Sequence, residues 1–193
     1  VVVNATSNPF TVTGLTAEQT YYFFVRSYCA SDDQSEWIGS VSATPSNLAT
    51  LTVNDGTTTN EYVPVYGFYV DSYSRSQLII PASELTAMQW GTISKLTFYS
   101  SNTSVNWGAA QFDVYMTEVG NTTISSLVDW NSMESLYHGS LSISDGKMEI
   151  TLTTPYLYTG GNLLIGINSP VSGSYIRAYF YGVSATGASM GGY

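Results

Sequence analysis

Apolar and polar residues alternate with a period of two along most of this 193-residue chain, and the apolar positions are filled by β-branched and aromatic side chains. Successive side chains on a strand point to opposite faces, so this pattern suits a half-buried sheet and not an amphipathic helix. The clearest runs are 10–13, 21–29, 41–44, 49–53, 77–80, 93–99, 111–117, 137–143, 148–152, 162–168 and 175–181. Gly, Asn, Asp, Pro and Ser bound them, as strand-ending turns require. About eleven strands at a spacing of roughly 8–15 residues predict an all-β protein made of antiparallel sandwiches. Asp145-Gly146, set between two alternating runs, predicts a tight hairpin, because both central positions of such a turn need positive φ. Only 82–88 and 124–136 leave room for a helical turn, and neither carries an apolar stripe of helical period. Pro45-Ser46-Asn47 reads as a connector between an N-terminal part, 1–45, and a larger part, 48–193.

Composition narrows the function. Charged residues are 10% of the chain, so uncharged polar side chains must cover the surface, the balance of a secreted or cell-surface β-protein. Fourteen acids against five bases give a net charge of -9 and leave no basic patch for phosphates, which argues against nucleic acid as a partner. No uninterrupted apolar run of about 18 residues is present, so no helix is predicted to span a membrane. The lone Cys29, inside an apolar run, is expected to be a small buried hydrophobe. Starting in Val1-Val2-Val3 and ending in Met190-Gly191-Gly192-Tyr193, the chain reads as a fragment of something longer.

Catalytic patterns are missing. His138 is the only histidine, and one histidine without a nucleophile motif does not make a hydrolase triad. Glu118, Asp129 and Glu134 are close in sequence, but the ordinary reading of such acids is a solvated loop and not a glycosidase pair. The expectation is a protein that is not an enzyme. Calcium is the one metal the sequence motivates, with Asn54-Asp55-Gly56 and Asp32-Asp33 as candidate loops weighed against plain turn acids. Glycans are the other ligand class to consider, since sugars stack on exposed rings beside polar groups. Trp107, in a polar loop, and Tyr69 with Tyr73 are the best surface aromatics, although most of the sixteen tyrosines fit half-buried strand positions.

The run Gly14-Leu15-Thr16-Ala17-Glu18-Gln19-Thr20-Tyr21-Tyr22-Phe23-Phe24-Val25-Arg26-Ser27, followed by Ser35-Glu36-Trp37 and Thr44-Pro45, resembles the last strands of a fibronectin type III module. The resemblance implies that residues 1–45 are the E, F and G strands of such a sandwich. Tyr21 would then form the tyrosine corner, and Phe23, Val25 and Trp37 would be left partly uncovered. From about Leu48, the segments Glu61-Tyr62-Val63-Pro64-Val65-Tyr66-Gly67, Ser76-Gln77-Leu78-Ile79-Ile80-Pro81, Gly91-Thr92-Ile93-Ser94-Lys95-Leu96, Asp129-Trp130 and Thr154-Pro155-Tyr156-Leu157-Tyr158 resemble the β-sandwich modules that follow fibronectin type III repeats in Bacteroidetes surface proteins of gingipain-adhesin type. That likeness implies a jelly-roll-like antiparallel sandwich, open to truncation at its C-terminal end, with Trp130 in a structural role. It further implies an extracellular, cell-surface or secreted setting and a non-catalytic adhesion or ligand-binding role toward glycans or host surface proteins, among neighbouring modules of the same polypeptide. A spacer, or an accessory domain of a surface protease or glycosidase, is the alternative.

Overall fold

The structure, a computed structural model, describes residues 2–7, 10, 12, 14–45, 50–130 and 133–193. The chain is all-β and divides into two compact units, Val1–Ala49 and Thr50–Tyr193. Of the expected connector, Ser46 and Asn47 lie outside the described residues, as do Thr11 and Thr13 of the first expected strand.

In the first unit, β1 (Tyr21–Val25) pairs antiparallel with β4 (Ile38–Ala43), and β2 (Tyr28–Ala30) pairs with β3 (Asp33–Gln34). Tyr21 Oη accepts a hydrogen bond from Thr16 N at 2.9 Å, tying the ring back to the chain that enters β1. The Arg26 guanidinium lies 4.4 Å from the centre of the Trp37 ring. A two-stranded ribbon has no second layer, so Val25, Trp37, Ile38 and Val41 are exposed and Phe23 is only half-buried. For the same reason the expected burial of Cys29 is corrected: the thiol is exposed.

The second unit contains β5 (Thr58–Asn60), β6 (Arg75–Ile80), β7 (Thr92–Tyr99), β8 (Ser104–Asn106), β9 (Gln111–Val119), β10 (Tyr137–Gly139), β11 (Ser142–Ser144), β12 (Lys147–Leu157), β13 (Asn162–Val171), β14 (Phe180–Gly182) and β15 (Ser189–Gly192). One sheet has the order β10-β9-β13-β6-β15 and another β7-β12-β11-β8, while β14 pairs with β5. The chain passes repeatedly from one sheet to the other, a path compatible with a sandwich. Alternate residues of both sheets meet in one core: Phe112, Val114 and Met116 of β9 and Leu163, Ile165 and Ile167 of β13 share a cluster with Met148, Ile150 and Leu152 of β12. The opposite positions of β12, Lys147, Glu149 and Thr151, face solvent, which is why its alternation was so legible. The predicted hairpin forms between β11 and β12, with Asp145 at φ 50° and Gly146 at φ 72°.

β13 departs from alternation because both of its faces are covered. Its outward Leu164 joins Ile79 and Trp130 in a second, small cluster. Residues 124–130, where a helical turn had room, form no helix and cross the outer face of the sheet as a strap. The strap's backbone is already engaged: Gln77 Nε2 donates to Val128 O at 2.6 Å, Val128 N donates to Gln77 Oε1 at 2.8 Å, and Ile124 N donates to Gly187 O at 2.7 Å. The Trp130 indole is buried, stacks on Tyr115 at 5.3 Å and sits so close over Gly166 that a Cβ there would come within 2.5 Å of Nε1.

At the far end of the same sheet, Glu118 caps the turn between β12 and β13. Its carboxylate accepts from Thr159 N at 2.7 Å and Thr159 Oγ1 at 3.0 Å, and also from Gly161 N. Desolvation pushes this carboxyl up, but the bonds from Thr159 and Gly161 outweigh it and hold it below the ordinary carboxylate range. A group whose folded pKa is lowered adds stability above its unfolded value, and that stability is lost as pH falls through the folded one. Glu118→Gln is therefore expected to melt lower than the parent at pH 7, with the gap closing as pH drops below about 4.5, the unfolded value. Thermal melts from pH 7 to pH 3 check this; a gap that stays constant would show that the carboxylate charge contributes nothing.

Candidate functional site

Polar side chains line up across the outer face of the five-stranded sheet, beside the strap. Register pairs His138 of β10 with Asp113 of β9, Asp113 with Asn168 of β13, and Asn168 with Arg75 of β6. Directly opposed residues share a face, so these four form one row. His138 Nδ1 meets Asp113 Oδ1 at 2.7 Å. Asn168 Oδ1 has no hydrogen-bond partner among the described residues. At the arginine end of the row lies an open groove of about 420 Å³, lined by Arg75, Asp113, Asn168 and Ser169 at its floor and by Tyr73, Tyr115 and Tyr193 at its walls.

Two of the walls are held from behind. One face of the Tyr115 ring is covered by Trp130 at an interplanar angle of 3°. Burial, then the nearby Asp113 carboxylate and the hydrogen bond to it, push the Tyr115 phenol up, so it stays protonated as a donor. Tyr193 stacks on Tyr69 with ring centres 4.0 Å apart and is still 66% exposed. Tyr69 is itself backed edge-on by Tyr66 at 4.9 Å, and the Tyr66 ring meets Tyr62 at 5.1 Å. Tyr73 is 59% exposed and sits at φ 62°, a conformation a bulky residue adopts only when its surroundings impose it. Two phenol rings, Tyr115 and Tyr193, therefore stand on aromatic supports, and the exposed Tyr73 joins them around a polar floor.

The sequence-named candidates fall on both sides of this site. Tyr73 is on the groove wall, and Tyr69 supports Tyr193 from behind. Trp107 is corrected: it is 1% exposed, its Nε1 donates to Ile176 O at 2.8 Å, and its ring packs edge-on to Phe112 at 5.6 Å. The polar loop that carries it folds inward and seals the end of the core, so Trp107 offers no face to a ligand. Trp130 is structural, as the strap anchor, and Tyr21 and Trp37 belong to the ribbon of the first unit. Asp32 and Asp33 lie on the short β2–β3 hairpin, while Asn54, at φ 52°, closes a turn in which Gly56 N donates to Asn54 O at 2.8 Å. Among the described residues, no three His, Cys, Asp or Glu side chains gather as a metal would need.

Arg75, Asp113, Tyr115, Asn168 and Tyr193 were not legible as a site. They come from three strands and the chain end and meet only through register. Trp90, which no local motif marks, is 65% exposed on a turn at φ 63°, with its N donating to Tyr158 O at 2.8 Å. It lines neither the groove nor a second hollow of about 430 Å³. That hollow is bordered by Ser142, Ser144, Asp145, Lys147 and Glu149, but it has no ring, and Glu149 is already bonded to Lys95 at 2.6 Å. No family model, curated protein or solved structure matches this chain, so the site is read from its own chemistry.

Proposed function

We propose that the chain is a non-catalytic carbohydrate-binding or adhesion module of a larger extracellular bacterial protein, and that the groove beside Tyr73 is where it holds its ligand. The observation that carries this reading is the combination of three tyrosine rings, two of them stacked on aromatic supports, with an arginine, an amide and a carboxylate in one groove. A pyranose presents C–H faces that stack on such rings and hydroxyls that need polar partners at fixed places, and a largely pre-formed site keeps the cost of ordering it low. His138, held by Asp113 on an edge strand, serves in this reading as a brace for the row and not as a general base. The likeness of residues 14–45 to the end of a fibronectin type III module, and of the second unit to Bacteroidetes surface sandwiches, supports the extracellular setting and the place among other modules.

A glycan array probed with the full chain tests this. At least one glycan class is expected to bind, and Tyr73→Ala is expected to weaken it about tenfold or more, the equivalent of ~1.4 kcal/mol, without changing the melting temperature. A blank array would return the chain to the role of a spacer or accessory domain.

A further inference from the structure

We infer, resting on the saccharide reading, that the groove selects acidic saccharides, with the ligand carboxylate seated on Arg75 and its hydroxyls on Asn168 and Asp113. The reason lies in how this acid-rich chain disposes of its five cations. Lys95 bonds Glu149 at 2.6 Å, and Arg177 pairs with Glu61 at 3.5 Å. Arg26 lies over Trp37 at 4.4 Å and Lys147 over Tyr99 at 5.8 Å. Among the described residues, Arg75 alone has neither an acid nor a ring, although fourteen acids are available. The nearest acid in its row, Asp113, is two strands away, roughly 10 Å by sheet spacing. Asp113 is also taken up by His138 at 2.7 Å and by the Tyr115 phenol. The guanidinium is thus kept unpaired on the floor of a groove, and its planar fork of donors matches a carboxylate.

The rest of the row suits the other end of such a ligand. Asn168 lines the groove, and its Oδ1, buried beneath the surface, has no partner among the described residues; a half-turn of the amide would bring this acceptor to a sugar hydroxyl and relieve that cost. Asp113, which meets His138 through Oδ1, keeps further lone pairs for hydroxyl donors. The exposed rings of Tyr73 and Tyr193 line the same groove and are offered to the pyranose itself. A carboxylate at one end and hydroxyls at the other describe a uronic acid or a sialic acid.

The test is calorimetric titration of the full chain with oligogalacturonate, oligomannuronate and sialyllactose, each beside its methyl ester, and with trialanine as a carboxylate without a sugar. At least one acid is expected to bind at least ~10-fold more tightly than its ester, the size of a charge-assisted contact. Arg75→Gln should remove that preference, bringing acid and ester to the same affinity, while Tyr73→Ala should weaken acid and ester alike and keep the preference. Arg75 is exposed, so the variant should fold, which an unchanged melting curve confirms. Equal binding of acids and esters would overturn acid selection and leave the saccharide reading standing. Binding of trialanine in an Arg75-dependent way, with no saccharide bound, would assign the groove to peptides and overturn the inference. No binding of any probe, together with a blank glycan array, would overturn both readings.

Discussion

Trp107→Ala is expected to destabilise the second unit by about 3–5 kcal/mol, the cost of deleting a large buried ring and leaving its cavity. Trp107 is among the largest side chains fully buried in the core, and it closes the end of that core through Phe112 on one side and residues 173–178 on the other. Four bonds tie that stretch to the loops it crosses: Trp107 Nε1 to Ile176 O at 2.8 Å, Ser174 N to Trp107 O at 2.8 Å, Gly173 N to Val70 O at 3.1 Å and Ile176 N to Gly67 O at 3.3 Å. Losing the indole leaves the Ile176 carbonyl without its donor as well as opening a cavity. A drop in melting temperature on the order of 10 °C or more follows for a unit of this size. A drop of under about 2 °C would mean that the loop carrying Trp107 is not the closure of the core.

Gly166→Val is expected to damage fold and site together. Any Cβ at this position would lie 2.5–2.6 Å from Trp130 ring atoms, and a valine adds two methyl groups beyond it. The strand is central, so the backbone has little room to yield, and the indole must lift. Overpacking of this kind costs about 1–3 kcal/mol. The displacement also removes the ring that backs Tyr115, so ligand affinity should fall even where the protein remains folded. Intrinsic fluorescence of Trp130, isolated in a background with the other tryptophans replaced by phenylalanine wherever the fold tolerates it, should shift to the red as the indole meets water. An unshifted spectrum and parental affinity would show that the strap does not lean on Gly166.

The fold was legible where one face of a strand is wet. β9 and β12 alternate cleanly, and Asp145-Gly146 marked its hairpin because the turn demands those residues. Reading failed where hydrogen bonds leave the ladder. Residues 175–181 alternate like a strand, yet only Phe180–Gly182 pairs as one, since Ile176 N donates to Gly67 O and Tyr179 N to Asn102 Oδ1. Residues 50–53 are likewise irregular, with Leu51 and Val53 packed on the core from a loop. β15 was hidden for the opposite reason: Ser189–Gly192 has almost no strand propensity and pairs because β6 offers it an edge. Of the site, Tyr73 was visible as a surface aromatic. Arg75, Asp113 and Asn168 were not, because their meeting depends on strand register, which no local motif records.

The most direct measurement is amide chemical-shift mapping of the full chain titrated with the best binder from the array. Perturbations that cluster at Tyr73, Arg75, Asp113, Tyr115, Asn168 and Ser169, and fade toward the β7-β12-β11-β8 sheet, are the expected result. Perturbations centred elsewhere, at Trp90 or on the exposed ribbon around Trp37, would contradict the assignment of the groove as the binding site.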